Sequence, residues 1–321
     1  DGVLRQGIDL ARGRKDGKQN RKVIGGAGLL GSTTAFVLGM RDILDEIKLV
    51  DLNDNAAKNQ AMDMGQAILP FSRTKITPAH YADLGDCEVI LVTANMSTRQ
   101  VTDRSERLKD NMRLLGPITA EIKAVCRQDP IVIICTNPVD VFTYVGWKLM
   151  GSDRSKVIGF SSNDTMRLKW AVAEVKGLDY RRLECVCIGE HGDAQVRLLD
   201  QMTYDGQPLT LTAEETETVI CLTKEWFKEF SGLGIKRSTG WTSGVNLAEM
   251  IEAIMTDSKK LLPCSAVFGG EFGYNDVACG ALCRLGKNGV EEITLPLNNG
   301  QKAEMDAAVA KIKEQISWTN L

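Results

Sequence analysis

The sequence predicts an α/β protein, with a doubly wound parallel sheet in its first half and a mixed α+β arrangement in its second. Three observations carry this. Short apolar runs alternate with helical stretches from Lys22 to about residue 161. Two of those runs, Cys87 to Ala94 and Pro130 to Thr136, are near-continuously apolar, as strands are when both sheet faces are covered. Beyond residue 161 the alternation stops, and long helical patterns are interleaved with the hairpin signals Asp205-Gly206 and Asn288-Gly289. The expected organisation is an N-terminal arm over 1–21, a first domain over 22–161 and a second over 162–321.

Each element has its own warrant. Lys22 to Gly25 reads as a short strand, and Leu29 to Met40 as the helix that follows a glycine-rich turn. Glu46 to Asp51 is the next strand; Asn55 to Leu69 has helical composition and Pro70 stops it. After the strand 87–94, Met96 to Asp103 is polar and predicts a loop, and Arg104 to Arg127 a helix. The strand 130–136 ends at Asn137-Pro138, followed by a helix over Val139 to Met150 and a strand over Lys156 to Phe160. In the second half, Asp164 to Lys176 is helical, Leu183 to Ile188 and Val196 to Tyr204 are strands, and Ala213 to Phe230 and Gly244 to Thr256 are long helices. Short strands are expected across Leu261 to Leu297. A C-terminal helix over Ala303 to Trp318 puts Met305, Val309, Ile312 and Ile316 on one face.

Composition narrows the function. With 43% apolar and 25% charged residues, the 321-residue chain has ordinary globular composition. A net charge of −3 provides no basic face for a nucleic acid or a membrane surface. No apolar run approaches the roughly 18 residues of a membrane span. The nine cysteines are scattered without a CxxC pair or a Cys/His cluster, so neither a disulfide framework nor a zinc site is predicted. A reducing, cytoplasmic setting is the expectation. The chain starts at Asp1 with a basic, polar stretch, so a processed leader stays open.

Gly26-x-Gly28-x-x-Gly31 follows a strand and opens a helix. Such glycines allow a tight turn, close approach of pyrophosphate and close helix–strand packing, with the helix N-terminus facing the phosphates. Asp51 ends the next strand, twenty residues after Gly31. An aspartate there accepts the ribose hydroxyls and repels a 2′-phosphate, so the first domain is predicted to be a Rossmann domain that binds NAD. The chain has two histidines, His80 and His191. His191 lies within Gly189-Glu-His-Gly-Asp193, directly after an apolar strand; glycine on each side lets the backbone turn sharply, so the imidazole can project and exchange a proton near neutral pH, a turn histidine without a role being the other reading. Asp164 and Arg167, three residues apart on a helix, lie on one side of it. Spacing leaves two readings open: an N-cap and a surface charge, or a carboxylate that holds His191 and a guanidinium that clamps a substrate carboxylate.

Taken together, these motifs resemble the L-lactate/L-malate dehydrogenase family, including the L-2-hydroxyisocaproate dehydrogenases, from about Lys22 to the C-terminus. The resemblance rests on Gly26-Ala-Gly-Leu-Leu-Gly31 with Asp51, Thr93-Ala94, Thr136-Asn-Pro-Val-Asp140, Asp164-x-x-Arg167 and Ile188-Gly-Glu-His-Gly-Asp193. It implies reversible hydride transfer between an L-2-hydroxy acid and NAD in a homodimer or homotetramer. It implies His191 as acid/base, Asp164 as its partner, Arg167 as the carboxylate clamp and Asn137 as a donor near substrate and nicotinamide. Arg104, nine residues after Asn95 and seven before Asn111, matches the mobile-loop arginine, and Thr239 the substrate-pocket threonine. Thr93 and Asn95 fall at the cofactor-binding strand end, where the family usually has Gly at position 95. Ala194 stands where Ser or Thr is usual. The position that reads the substrate side chain, six residues before Arg104, is Thr98, with Arg99 beside it; lactate enzymes usually carry Gln there and malate enzymes Arg. A monocarboxylate of the lactate type is therefore expected, with malate as the alternative and a catalytically idle NAD-binding protein as the reading from another class.

Overall fold

The computed structural model describes residues 22–95, 104–235, 237 and 239–319. The predicted arm over 1–21 and the loop 96–103, with Thr98 and Arg99, lie outside the described residues. The first half runs β1 (Lys22–Gly25), α1 (Leu29–Arg41), β2 (Glu46–Leu49), α2 (Asp54–Ala67), β3 (Lys75–Pro78), β4 (Val89–Val92), α3 (Arg104–Val125), β5 (Ile131–Ile134), α4 (Val139–Met150) and β6 (Val157–Gly159). The second half runs α5 (Asn163–Lys176), β7 (Leu183–Glu184), β8 (Cys187–Gly189), β9 (Gln195–Arg197), β10 (Thr203–Tyr204), β11 (Gln207–Pro208), α6 (Ala213–Gly232), α7 (Gly240–Met255), β12 (Lys260–Gly269), β13 (Asn275–Gly286), β14 (Gly289–Thr294) and α8 (Asn299–Ser317).

The six strands of the first half are parallel, in the order β3-β2-β1-β4-β5-β6. Order reverses between β1 and β4, which makes the ends of those two strands a topological switch point, where ligands of such sheets bind. β4 and β5 are buried along their whole lengths, as their unbroken apolar runs require. The sheet does not stop at the end of the first half. β12 pairs antiparallel with β6, Ser265 opposite Gly159, and carries the sheet on through β13, β8 and β9, with β14 also on β13. A separate small sheet holds β11, β10 and β7.

Several elements differ from the sequence expectation; the strand expected over Leu183 to Ile188, for one, is two short strands, β7 and β8, in different sheets. β3 is not legible in the sequence because only Ile76 in it is buried; it exists by pairing with β2 at the edge of the sheet, where Pro78 is tolerated. The strand expected over Val196 to Tyr204 is broken by a 3-10 turn at Leu199–Gln201. Its first part pairs with β8 and its second with β7 of the small sheet, so the chain changes sheets at the break. The break is held from outside, since Asn298 and Gln301 at the start of α8 both donate to the Asp200 carboxylate. Helix α7 starts at Gly240, four residues before the expected Gly244, because Gly240 and Gly244 both face α1. A Cβ at either would stand 2.5 Å from Leu29 Cγ or Thr33 Cγ2 respectively, so the close approach of α7 to α1 depends on glycine. The Asp205-Gly206 turn has φ of 50° and 73°, the primed geometry its dipeptide predicts.

Candidate active site

The glycine loop lies between β1 and α1 at the switch point. A Cβ on Gly31 would fall 1.9 Å from the Gly26 carbonyl oxygen, so that glycine is fixed by packing. Around Gly28 a Cβ would meet nothing within 4 Å, and Gly28 caps α1 with no side-chain hydrogen bond and no acidic residue in the first turn. This is an open helix N-terminus that suits a pyrophosphate. Gly26 faces Thr93 Oγ1 at the end of β4. The Asp51 carboxylate accepts from the Ala27 N–H at 3.2 Å and from the Asn53 N–H at 3.0 Å, which holds it beside the glycine loop. Asn95 is exposed at the mouth of the same strand end. Asn137 precedes a cis peptide bond to Pro138, and its carbonyl accepts from Asn111 Nδ2 at 2.8 Å, which ties this turn to α3. Arg104 is the first residue of α3.

His191 follows β8 by two residues. Gly189, at φ 83°, takes the left-handed conformation the turn needs. Gly192 serves a different purpose from the turn flexibility its sequence suggests: a Cβ there would press against the Glu190 carboxylate at 2.9–3.0 Å. The imidazole Nδ1 lies 2.6 Å from Asp164 Oδ2. An acceptor-only carboxylate places the proton on Nδ1 and leaves Nε2 to meet a substrate. Burial pulls the His191 pKa down, but the charge and hydrogen bond of Asp164, with Asp140 behind them, outweigh burial and Arg167 and raise it above the ordinary histidine value. Asp164 is itself buried, 6% exposed. Its other oxygen lies 3.3 Å from Arg167 Nη1. The Arg167 guanidinium also stacks near the rings of Trp226, at 4.9 Å, and Phe227, at 5.8 Å, on α6. Histidine, aspartate and arginine from two elements therefore form one chain of contacts, with Asp164 holding the His191 ring on one side and meeting Arg167 on the other.

Residues 20–159 match the family model described as lactate/malate dehydrogenase, NAD binding domain, and residues 162–319 match lactate/malate dehydrogenase, alpha/beta C-terminal domain. The malate dehydrogenase of Aliarcobacter butzleri is 32% identical over 93% of this chain and 97% of its own length. The chain belongs to the lactate/malate dehydrogenase family. Among solved structures, the malate dehydrogenase from Aeropyrum pernix is 30% identical with a TM-score of 0.85, covering 92% of this chain and 97% of that one. The lactate dehydrogenase from Cryptosporidium parvum, complexed with lactic acid and NAD, is 26% identical with a TM-score of 0.88, covering 94% of this chain and 98% of that one.

As a member of the lactate/malate dehydrogenase family the chain is an NAD-dependent hydroxy acid dehydrogenase, and the open α1 N-terminus with Asp51 beside it fits that cofactor. No helix among the described residues is long and apolar enough to cross a membrane. Thr239 caps α7 and lies in a polar network: Asn163 Nδ2 reaches Thr239 Oγ1 at 3.3 Å and Ser243 Oγ at 2.7 Å, and Asn246 closes on Asn163. A cavity of about 340 Å³ borders Arg167, Thr239, Trp170 and Trp226. The lock of α7 on α1 thus places Thr239 next to the helix that opens the nucleotide site.

Sequence reasoning passed over several residues. Asp140 accepts the His191 N–H at 2.7 Å. Glu190, 7% exposed, accepts from the Ala194 N–H at 2.8 Å and from Lys311 Nζ at 2.7 Å, which ties the histidine loop to α8. Asp140 and Glu190 were visible as charges inside apolar or glycine-flanked motifs. Lys311 and Trp226 carry no local signal, because only folding brings them near.

Proposed function

We propose that the chain interconverts a monocarboxylic L-2-hydroxy acid of the lactate type and its 2-oxo acid. Support for the monocarboxylate comes from one observation: position 98, six residues before Arg104, is a threonine. A short neutral side chain offers no cation to a second carboxylate, and a buried unpaired carboxylate is costly. In oxidation, Nε2 of neutral His191 takes the hydroxyl proton while Asp164 favours the imidazolium that forms. NAD, when bound, supplies the hydride acceptor. Arg167 holds the substrate carboxylate, and Arg104 polarises the 2-oxygen. Asn137 donates beside the reacting carbon, and Thr239 lines the pocket. Gly26, Gly28, Gly31 and Thr93 cradle the dinucleotide, with Asp51 on the ribose.

A homodimer or homotetramer is the proposed assembly, supported by exposed Met62 on α2 and exposed Trp241 and Val245 on α7. Malate is the second reading, favoured by Arg99 beside Thr98 and by curated relatives named malate dehydrogenase. The test is kcat/KM for pyruvate and oxaloacetate, with NADH, in wild type and Arg99→Ala. Pyruvate is expected to be preferred in both. A wild-type preference for oxaloacetate that Arg99→Ala selectively abolishes would make malate the substrate.

A further inference from the structure

One buried acid beside the site has no part in the reaction as derived. Asp140, in the first turn of α4, is 2% exposed. Its Oδ2 accepts the main-chain N–H of His191 at 2.7 Å. Its Oδ1 and the Ser265 hydroxyl of β12 are both buried without a hydrogen bond of good geometry, but the hydroxyl lies near enough for its dipole to favour the ionised carboxylate. A carboxylate with an unsatisfied oxygen in the core is an expensive way to hold one N–H, because a neutral amide oxygen would accept that bond equally well.

We infer that Asp140 is a positioning residue with two effects: it grips the His191 main chain, and its buried negative charge favours the protonated imidazole. The inference rests on the proposed role of His191 as the acid/base. Among the described residues, the charged and titratable groups facing this pair come from α5, the histidine loop, α8 and β13. From α5 come Asp164, bonded to the ring, and Arg167, which opposes protonation. Glu190, next to His191 in the chain, acts on Asp140 and is itself neutralised by Lys311 of α8. From β13, the buried Cys279 thiol feels Asp140 and is held protonated. Burial pushes Asp140 up to about 6, with Ser265 and His191 pulling it down, so Asp140 is largely ionised in the range above 6.5 where His191 titrates. The Asp140 carboxylate is shut off from water and the His191 side chain is only 17% exposed, so the two opposite charges act on each other through protein, and each favours the charged form of the other.

The test reads the ring directly. The chain has two histidines, so histidine-selective isotope labelling gives two ring signals, and His80, with a side chain 72% exposed, is the internal reference. His191→Asn assigns them. Asp140→Asn keeps an oxygen for the His191 N–H and directs its amide toward the Ser265 hydroxyl. It is expected to lower the His191 titration midpoint by about one pH unit while His80 does not move. The falling limb of kcat/KM for 2-oxo acid reduction should move down with it. Ser265→Ala should shift His191 in the same direction by less, since Asp140 then ionises only at higher pH. An unchanged His191 midpoint in Asp140→Asn, even with reduced activity, overturns the inference, because an anchor without an electrostatic role lowers rate but not midpoint. Should Asp140→Asn fail to fold, an unchanged midpoint in Ser265→Ala overturns it equally. Retention of turnover by His191→Asn would instead overturn the acid/base reading, and the ring titration still stands apart from it.

Discussion

His191 is held at three points: its main chain by Asp140, its ring by Asp164, and its loop by the Glu190–Lys311 pair. Its raised pKa fixes the sign of the pH dependence. With His191 as the proposed acid/base, reduction of a 2-oxo acid draws on imidazolium, so it is expected to persist above the ordinary value of 6.5 and to fall as pH rises through the folded value, while oxidation should rise through the same midpoint. In stability terms, the protonated pair contributes fully below 6.5, and that contribution is lost as pH rises through the folded pKa. Asp164→Asn should therefore move both kinetic midpoints down and cut kcat, and a pH–rate profile in each direction checks this. His191→Asn should lower kcat by about 10³-fold or more while NADH still binds, as read by its fluorescence. Arg167→Lys should lose most of kcat/KM, about 10²-fold, because an ammonium cannot replace a planar two-point clamp nor stack on Trp226 in the same way. That loss should be equal for pyruvate and oxaloacetate. A loss confined to oxaloacetate would place Arg167 on a second carboxylate.

At the scale of elements, the glycines between β1 and α1 divide into two kinds. Gly31→Ala forces a Cβ onto the Gly26 carbonyl, 1.9 Å away, so the loop and helix must part. The apo protein is expected to lose about 2 kcal/mol or more, seen as a lower Tm without any ligand. Gly28→Ala meets open space in the protein, so the apo Tm should stay within a degree or so, while the NADH-induced rise in Tm shrinks as affinity falls. Paired melts with and without NADH separate the two. If both variants lost apo stability alike, Gly28 would be a packing residue and not a point of approach for the phosphates. Helix α7 works by the same device, since Gly240 and Gly244 let it touch α1 and so bring Thr239 close to the nucleotide loop.

Over the whole molecule, the pairing of β12 with β6 joins the two halves into one sheet, and the main apolar core draws on both: Ile133 and Val157 from the first half pack in one cluster with Phe268 and Cys283 from the second. Parting the halves would expose β6 along an apolar edge and strip that cluster. Unfolding is therefore expected to be a single cooperative transition. Far-UV circular dichroism and tryptophan fluorescence should give coincident urea curves; two separated transitions would mean that the halves unfold independently.

The chemistry was legible in the sequence because it is local. A strand, three glycines and an aspartate at the end of the next strand define a nucleotide turn by short-range geometry, and a glycine-flanked histidine after a strand defines an imidazole at a sharp turn. The parallel sense of β1, β2, β4, β5 and β6 follows from alternation, since helices must cover both faces. Tertiary structure decided what depends on distant partners. Asp164 and Arg167 were ambiguous at a spacing of three residues, and only the arrival of His191, 27 positions on, gave Asp164 an imidazole to hold. The β3 edge strand, with one buried residue, exists through β2, and the run from Val196 to Tyr204 was split because α8, about a hundred residues later, holds Asp200. Asp140 appears in the sequence as one charge in an apolar helix; its load became visible only when burial removed the water and left the His191 main chain as its partner. Local pattern fixes which groups can act, whereas burial and long-range contact set their charge state and hold them in place.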